Sequence, residues 1–355
     1  MILVLNAGSS SLKVEVFDRR LRSQLSGAVT GIGEASSTFK LGAQNGTVAI
    51  KDHSAALDIV LQILPQEGIT PDTISAAAHR VVHGGSVLTC AQKLTPSVIN
   101  QIDACIPLAP LHNPANLTGI KAVAKALPNL PQYASFDTAF HATNSDVAVR
   151  YAIPQTHHDA GIRRYGFHGL SYANMVSEFG DQLPSRLLAF HLGNGTSLCA
   201  IKDGQSIATS MGYSPLSGLT MGTRSGDIDG AAVLRMSRSL GEVETDRILN
   251  KISGLKALAG DNNMKALLDR DDDAAKFAVD HFCYWAARHA GSAIVALGGV
   301  DAVAFTGGIG ENAAPIRDKI MQHLAFLGDC PVHVIAADEE RQIARDAHTV
   351  MQAGT

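Results

Sequence analysis

Three turns rich in glycine and serine stand where a chain could hold phosphate: Gly8–Ser11, Gly193–Ser197 and Gly307–Asn312. Small residues let backbone N–H groups approach an anion closely. One such turn says little, because a tight turn needs glycine with or without a ligand. Three of them, each after a predicted strand, favour polyphosphate binding. The G-x-x-x-x-G-K-[ST] pattern is absent and Gly8-x-x-Ser11 does not supply G-x-G-x-x-G, which argues against a P-loop NTPase and a dinucleotide-dependent dehydrogenase. Cationic and polar groups sit in similar small-residue loops: Arg80 in HRVVHGG, His112 in PLAPLHNP, His168 in RRYGFHG and Arg224 in MGTRSGD. A guanidinium beside glycines can grip a carboxylate or phosphate through two hydrogen bonds. Phosphoryl transfer needs such groups, since charge spreads over the equatorial oxygens in its transition state. Any one of these arginines could equally serve a structural carboxylate pair. The acidic candidates are Asp137 at a strand end, Asp227 and Asp229 after Arg224, and Glu339 with Glu340 at the start of the last helix. Carboxylates suit Mg²⁺, which takes one or two of them with waters and phosphate oxygens. By position alone Glu339 also reads as a charge favouring a helix N-terminus.

The elements that would position these groups alternate strand and helix, an α/β pattern. Ile2–Leu5 and Val14–Phe17 read as strands around the first turn, and Leu187–Leu192 and Leu198–Ile201 as strands around the second. With one inserted residue, Ser9-Ser10-Ser11-Leu12 superposes on Gly195-Thr196-Ser197-Leu198, which points to an internal duplication. A strand–Gly turn–strand unit is also common in unrelated α/β proteins. Helices are expected at Ser54–Leu64, at Ala274–Leu297 and from about Pro315. Strands are expected at Ile74–Ala78, Gln132–Phe136 and Ala302–Phe305. Asp338 is placed to N-cap the last helix, whose apolar stripe is Ile343, Ala344, Ala347, Val350 and Met351.

Composition narrows the class. The 355 residues are long enough for two domains, and 46% apolar against 17% charged residues supports a filled core. A net charge of -4 disfavours nucleic-acid or acidic-membrane partners. Five scattered cysteines lack the spacing of a zinc or disulfide framework. No apolar run reaches the ~18 residues of a membrane span. With no basic leader ahead of Ile2, the expected location is cytoplasmic.

Taken together, LVLNAGSSSLK (3–13), HRVVHGG (79–85), PLAPLHNPAN (107–116), FDTAFH (136–141), RRYGFHG (163–169), HLGNGTS (191–197), SMGYSPLSGLTMGTRSGDID (210–229) and FTGGIGEN (305–312) closely resemble acetate kinases, in that family's order and over nearly the whole chain. The resemblance implies two duplicated RNase H-like domains of the actin/Hsp70/sugar-kinase kind with an interdomain cleft. Residues 1–140 would form the first, completed by a returning helix 338–355, and residues 141–337 the second, carrying most nucleotide contacts. It implies Mg²⁺-dependent, reversible transfer of the ATP γ-phosphoryl to acetate, giving acetyl phosphate and ADP, with Mn²⁺ as a possible substitute and a homodimer as the usual assembly.

Carried over residue by residue, the resemblance makes Asp137, His168 and Arg224 catalytic, and Arg80, Val82, Leu111, His112, Phe167 and Pro215 acetate-binding. It places nucleotide contacts on Lys13, on His191, Leu192, Gly193, Asn194 and Gly195, on Asn263, Met264 and Lys265, and on Gly308, Ile309, Gly310, Glu311 and Asn312. Asn6 and Glu339 fall on its metal-linked positions. There are departures. Asn263-Met264-Lys265 stands where the family has D-[FM]-R, Asp338-Glu339-Glu340 where it has Asn-Glu-Glu, and the chain is short between about 318 and 337. An SGDIDP-like stretch ends in Gly230. The rival readings are a propionate or other short-chain acyl kinase and, from another class, an ATP-driven switch of the same fold.

Overall fold

The computed structural model describes residues 1–354. They form two compact units, Met1–Phe140 together with the residues from Asp338 onward, and His141–Ala337. Among the described residues no helix is long and apolar enough to cross a membrane.

The first unit is built on an eight-stranded sheet of β1 (Ile2–Ala7), β2 (Ser11–Phe17), β3 (Ser23–Thr30), β4 (Ser37–Leu41), β5 (Gln44–Val48), β6 (Ala76–Val81), β7 (Gln92–Lys93) and β8 (Gln132–Phe136), in the order β5-β4-β3-β2-β1-β6-β8-β7. β1 is buried along its whole length, as expected of a central strand covered on both faces. Strands β1 to β5 run as an antiparallel meander, whereas β6 and β8 lie parallel to β1. Helix His53–Ile63 is N-capped by Asp52, whose Oδ1 accepts from the Ala55 N–H at 2.8 Å. It packs Ala56, Leu57, Val60 and Ile63 into one core with Leu3, Leu5 and Val14. The last helix, Glu339–Ala353, touches β1, β6 and β8 and buries Ile343, Ala344 and Ala347, three residues of the expected stripe. Asp338 caps it, accepting from the Arg341 N–H at 3.0 Å.

The second unit has a five-stranded sheet of β9 (Arg186–Leu192), β10 (Thr196–Lys202), β11 (Gln205–Thr209), β12 (Ala302–Thr306) and β13 (Val332–Val334), ordered β11-β10-β9-β12-β13. The long helix Asp273–Leu297 lays a run of alanines (275, 278, 286, 290 and 293) into its core, where the Phe190 and Phe305 rings stack at 5.0 Å. Small residues let that helix approach the sheet closely. The order β3-β2-β1-β6-β8 of the first unit matches β11-β10-β9-β12-β13 of the second, strand for strand and in every strand direction. One topology is thus used twice.

Four local expectations change. The two hairpins close with Leu12 opposite Ala7 and Thr196 opposite Leu192, so the superposition of Leu12 on Leu198 is out of register by two residues. A slip of two keeps every side chain on its own face, which is why the sequence pattern did not expose it. The strand expected at Ile74–Ala78 runs from Ala76 to Val81, pairing Arg80 and Val81 with Ser135 and Phe136. Gly307–Asn312 is a short helix rather than a turn. Gly307 enters it at φ +79°, and a Cβ there would stand 2.7 Å from the Leu192 carbonyl, so only glycine lets β12 turn off beside β9. Finally, β3 to β5 were not anticipated.

Candidate active site

In the first unit, four segments far apart in sequence bring one arginine among three carboxylates. Asn6 lies at the end of β1, Arg80 near the end of β6, Asp137 just beyond β8, and Glu339 and Glu340 open the last helix. Arg80 donates to Asp137 through Nε (3.0 Å) and Nη2 (2.5 Å), the bidentate geometry a guanidinium favours. Its Nη1 donates to Asn6 Oδ1 at 3.3 Å, and its Nε stands 3.7 Å from Glu339 Oε2. Asn6 in turn donates from Nδ2 to Glu340 Oε1 at 3.1 Å. Asp137 is almost fully buried (2% of its side chain exposed). Burial, first of all, pushes its carboxyl up to about 6; Arg80 pulls the other way, and Glu339 and Glu340 add to the rise. Burial also opposes the Arg80 charge, but Asp137 and Glu339 more than offset it and hold the guanidinium protonated.

One cation against three carboxylates leaves this cluster negative, and the atoms in it able to ligate a metal are all oxygens, from the carboxylates and the Asn6 amide carbonyl. That donor chemistry fits a hard divalent cation such as Mg²⁺ or Mn²⁺. Burial is the main cause of the raised Asp137 carboxyl, and the two carboxylates beside it add a repulsion that a bound cation would relieve. Glu340 is shared with a second group: it, Glu15 and Asp338 each offer an oxygen within 4.8 Å of the others. Lys13 is exposed and pairs directly with Asn6 across the hairpin, so both point to one face.

The loop after β6 is held by Asn116, whose Oδ1 accepts from the Val82 N–H (3.1 Å) while its Nδ2 donates to the Ala7 carbonyl (2.7 Å). Val82 is buried, whereas Leu111 is 51% exposed and His112 is exposed at the start of helix Asn113–Ala126.

In the second unit, the turn between β9 and β10 collects polar groups from three loops. His168 begins helix Gly169–Phe179 in a left-handed conformation (φ +60°), uncommon for a residue with a Cβ and the kind of strain that gathers at functional positions. Its ring stacks on His191 at 4.2 Å. His168 Nδ1 bonds Ser197 Oγ (2.9 Å), and His191 Nδ1 bonds Ser171 Oγ (2.8 Å). A Cβ on Gly195 would lie 2.9 Å from Arg224 Nη2 and 3.1 Å from His168 Nε2, so both donors converge on this glycine. Arg224 donates from Nη1 to the Pro215 carbonyl (2.7 Å) and has no ion pair among the described residues. Burial lowers its pKa. A half-buried guanidinium without a counter-charge is prepared for an anion. Phe167 is buried, its carbonyl accepting from His141 Nε2 at 2.9 Å.

Beside this turn, a groove of about 490 Å³ is lined by Gly193, Asn194, Asn262, Asn263, Met264, Lys265, Gly308, Ile309 and Asn312 among others. That is the size range of small-molecule sites. Three separately expected nucleotide segments therefore share one cavity. Asn262, which donates to Asn194 Oδ1 at 3.1 Å, joins them without having been anticipated. Some expected contacts lie elsewhere. Leu192 and Gly310 are buried, and Glu311 accepts from the Ala337 N–H at 2.9 Å, outside the groove lining. Asn263 Oδ1 is engaged as the N-cap of helix Met264–Leu268, accepting from the N–H groups of Lys265 and Ala266.

The repeated sheet, an arginine–carboxylate cluster in one unit and a cation-flanked glycine turn beside a groove in the other define an α/β protein equipped for charged, phosphate-sized ligands. The chain belongs to the acetokinase family, whose sequence profile matches residues 1–352. It is 42% identical to the acetate kinase of Streptomyces griseus, covering 97% of this chain and 89% of that protein. Among solved structures it resembles Porphyromonas gingivalis acetate kinase (33% identity, TM-score 0.90, 99% of both chains) and a propionate kinase from Francisella tularensis (36% identity, TM-score 0.91, 97% of this chain and 98% of that one).

Proposed function

We propose that the protein is an acetate kinase, transferring the γ-phosphoryl of ATP to acetate in a reversible reaction. The observation that carries this reading is the convergence of Arg224 and His168 on Gly195, cationic and polar donors beside a groove of nucleotide size. Acetate is ionised at neutral pH, so an oxygen of its carboxylate attacks phosphorus without a base. The new O–P bond forms as the bond from phosphorus to the β–γ bridging oxygen breaks, and ADP leaves with that electron pair. No proton moves, and the protein's work is placement and charge stabilisation. Arg224 and His168 donate to the equatorial oxygens where charge builds, and Asn194 binds phosphate oxygens. Arg80 holds the acetate carboxylate, and Val82 contacts its methyl group. Asn6, Asp137 and Glu339 would hold Mg²⁺ directly or through water. When bound, the ion supplies charge neutralisation for the nucleotide phosphates. A cytoplasmic homodimer accompanies this reading as its expected setting.

A second reading, propionate kinase, has support in the likeness to the Francisella tularensis enzyme. A methylene in an apolar pocket discriminates by only ~1–3 kcal/mol, so the two substrates differ in degree. Trapping the acyl phosphate as its hydroxamate, with acetate and propionate compared at matched ATP and Mg²⁺, tests both. A higher kcat/KM for acetate is expected. Preference for propionate would exchange the two readings, and no acyl phosphate from either acid would refute both.

A further inference from the structure

The polar chain behind His168 lies outside the residues given roles above. Tyr172, on helix Gly169–Phe179, is completely buried, and its hydroxyl stands 2.5 Å from Ser197 Oγ. Ser197, also fully buried on β10, stands 2.9 Å from His168 Nδ1. The far nitrogen of that ring, Nε2, is the one beside Gly195. The three side chains are therefore in series, from core to turn.

From this series we infer that Tyr172 and Ser197 are positioning residues that hold His168 as the neutral tautomer with its proton on Nε2. The direction of each bond follows from chemistry. A phenol is a stronger acid than an alkyl hydroxyl, and an alkyl hydroxyl oxygen is the better acceptor, so in so short a contact Tyr172 donates to Ser197. Ser197 then directs its own proton to Nδ1, which must accept it. A neutral imidazole accepting at one nitrogen carries its proton on the other. The result is an N–H donor at Nε2, aimed at the position where the phosphoryl oxygens are proposed to lie. The reverse polarity would make Nε2 an acceptor facing anionic oxygen, which is repulsive. The left-handed backbone at His168 gives the chain a second purpose. A residue in that conformation persists only when its surroundings over-determine it, and the bond to Ser197 is one such restraint.

The inference rests on the kinase reading for its consequence but not for its geometry, and the test separates the two. Tyr172→Phe removes one oxygen from a ring the core already accommodates. Its kcat for acetyl phosphate formation is expected to fall about tenfold or more, since small misplacements of a reacting group are costly. KM for ATP and acetate should stay within twofold. Ser197→Ala should lose as much, and the double variant no more than Ser197→Ala alone, because links in series fail together. Nitrogen-15 NMR of the imidazole in the full-length protein reads the tautomer directly: Nε2–H in the wild type, with a shift toward Nδ1–H or a mixture in Tyr172→Phe. A wild type that carries Nδ1–H, or a folded Tyr172→Phe with unchanged kcat and tautomer, overturns the inference. Should Tyr172→Phe fail to fold, Ser197→Ala and the wild-type spectrum still decide it. A wild type without kinase activity refutes the proposed function, while the spectrum still judges the chain.

Discussion

Gly195→Ala should separate catalysis from folding. The added methyl would stand 2.9 Å from Arg224 Nη2 and 3.1 Å from His168 Nε2. Real Cβ atoms essentially never come so close to the first, so the guanidinium must swing aside. That motion is cheap, because Nη2 is the far end of a flexible side chain. The His168 ring, stacked on His191 and tied to Ser197, can give by only a few tenths of an ångström. Gly195 itself is not in the left-handed region, so alanine fits the backbone and removes some freedom from the unfolded chain, worth about 0.4–1 kcal/mol. Stability should therefore change by no more than about 1 kcal/mol. Activity should not be spared. Losing one well-placed donor to a developing charge costs about 2.7 kcal/mol or more, a factor of about 10² in kcat. The assay is hydroxamate formation at saturating substrates, paired with thermal denaturation. A folded variant with kcat within threefold of wild type would show that Arg224 and His168 do not act at Gly195.

Other expectations concern charge and recognition. Arg224→Ala should also lose about 10²-fold in kcat, and Arg224→Lys should recover little, since an ammonium cannot reproduce the guanidinium fork; steady-state kinetics of both variants check this. ATP should be preferred over GTP by less than about tenfold, ~1.4 kcal/mol, because Asn263 Oδ1 is engaged by backbone N–H groups and the phosphate-side groove is indifferent to the base. Kinetics with ATP, GTP and ITP test it, and a hundredfold preference for ATP would refute it. His79 and His141, both pushed down from 6.5 to about 4 by burial, are neutral in the folded state while the unfolded chain takes up protons below 6.5. Their contribution is present above that value and is lost as pH falls toward 4, at most ~3 kcal/mol each. Urea denaturation should show a marked drop between about pH 7 and pH 4.5, and equal stability at both would contradict it.

The first two glycine-rich turns, the N-cap at Asp338 and the existence of the long helix Asp273–Leu297 were legible because each is written in neighbouring residues. What escaped was written across distance or in weak local patterns. Strands β3 to β5 carry many exposed and polar residues, and Gly27 and Gly46 interrupt their alternation, so periodicity alone does not raise them. The hairpin register was misplaced by two because the slip leaves the facing pattern intact. The Asn6–Glu340 bond joins residues 334 positions apart, and the Asn116 clamp joins Ala7 to Val82 through a third segment. No spacing rule reaches such pairs. Ser197 was seen as part of a turn, but its place in β10 between Tyr172 and His168 depends on the fold.

The first unit takes its last helix from beyond the whole of the second. On the ribosome this fixes an order of events. Residues 141–337 are contiguous and can finish folding as soon as they emerge, whereas the earlier-made sheet must wait for Ile343, Ala344 and Ala347 to cover it. Through that interval β1, β6 and β8 lack their partner helix, and Arg80 has Asp137 but neither glutamate. The segment synthesised first is completed late, so exposure to chaperones and proteases during synthesis should concentrate on residues 1–140.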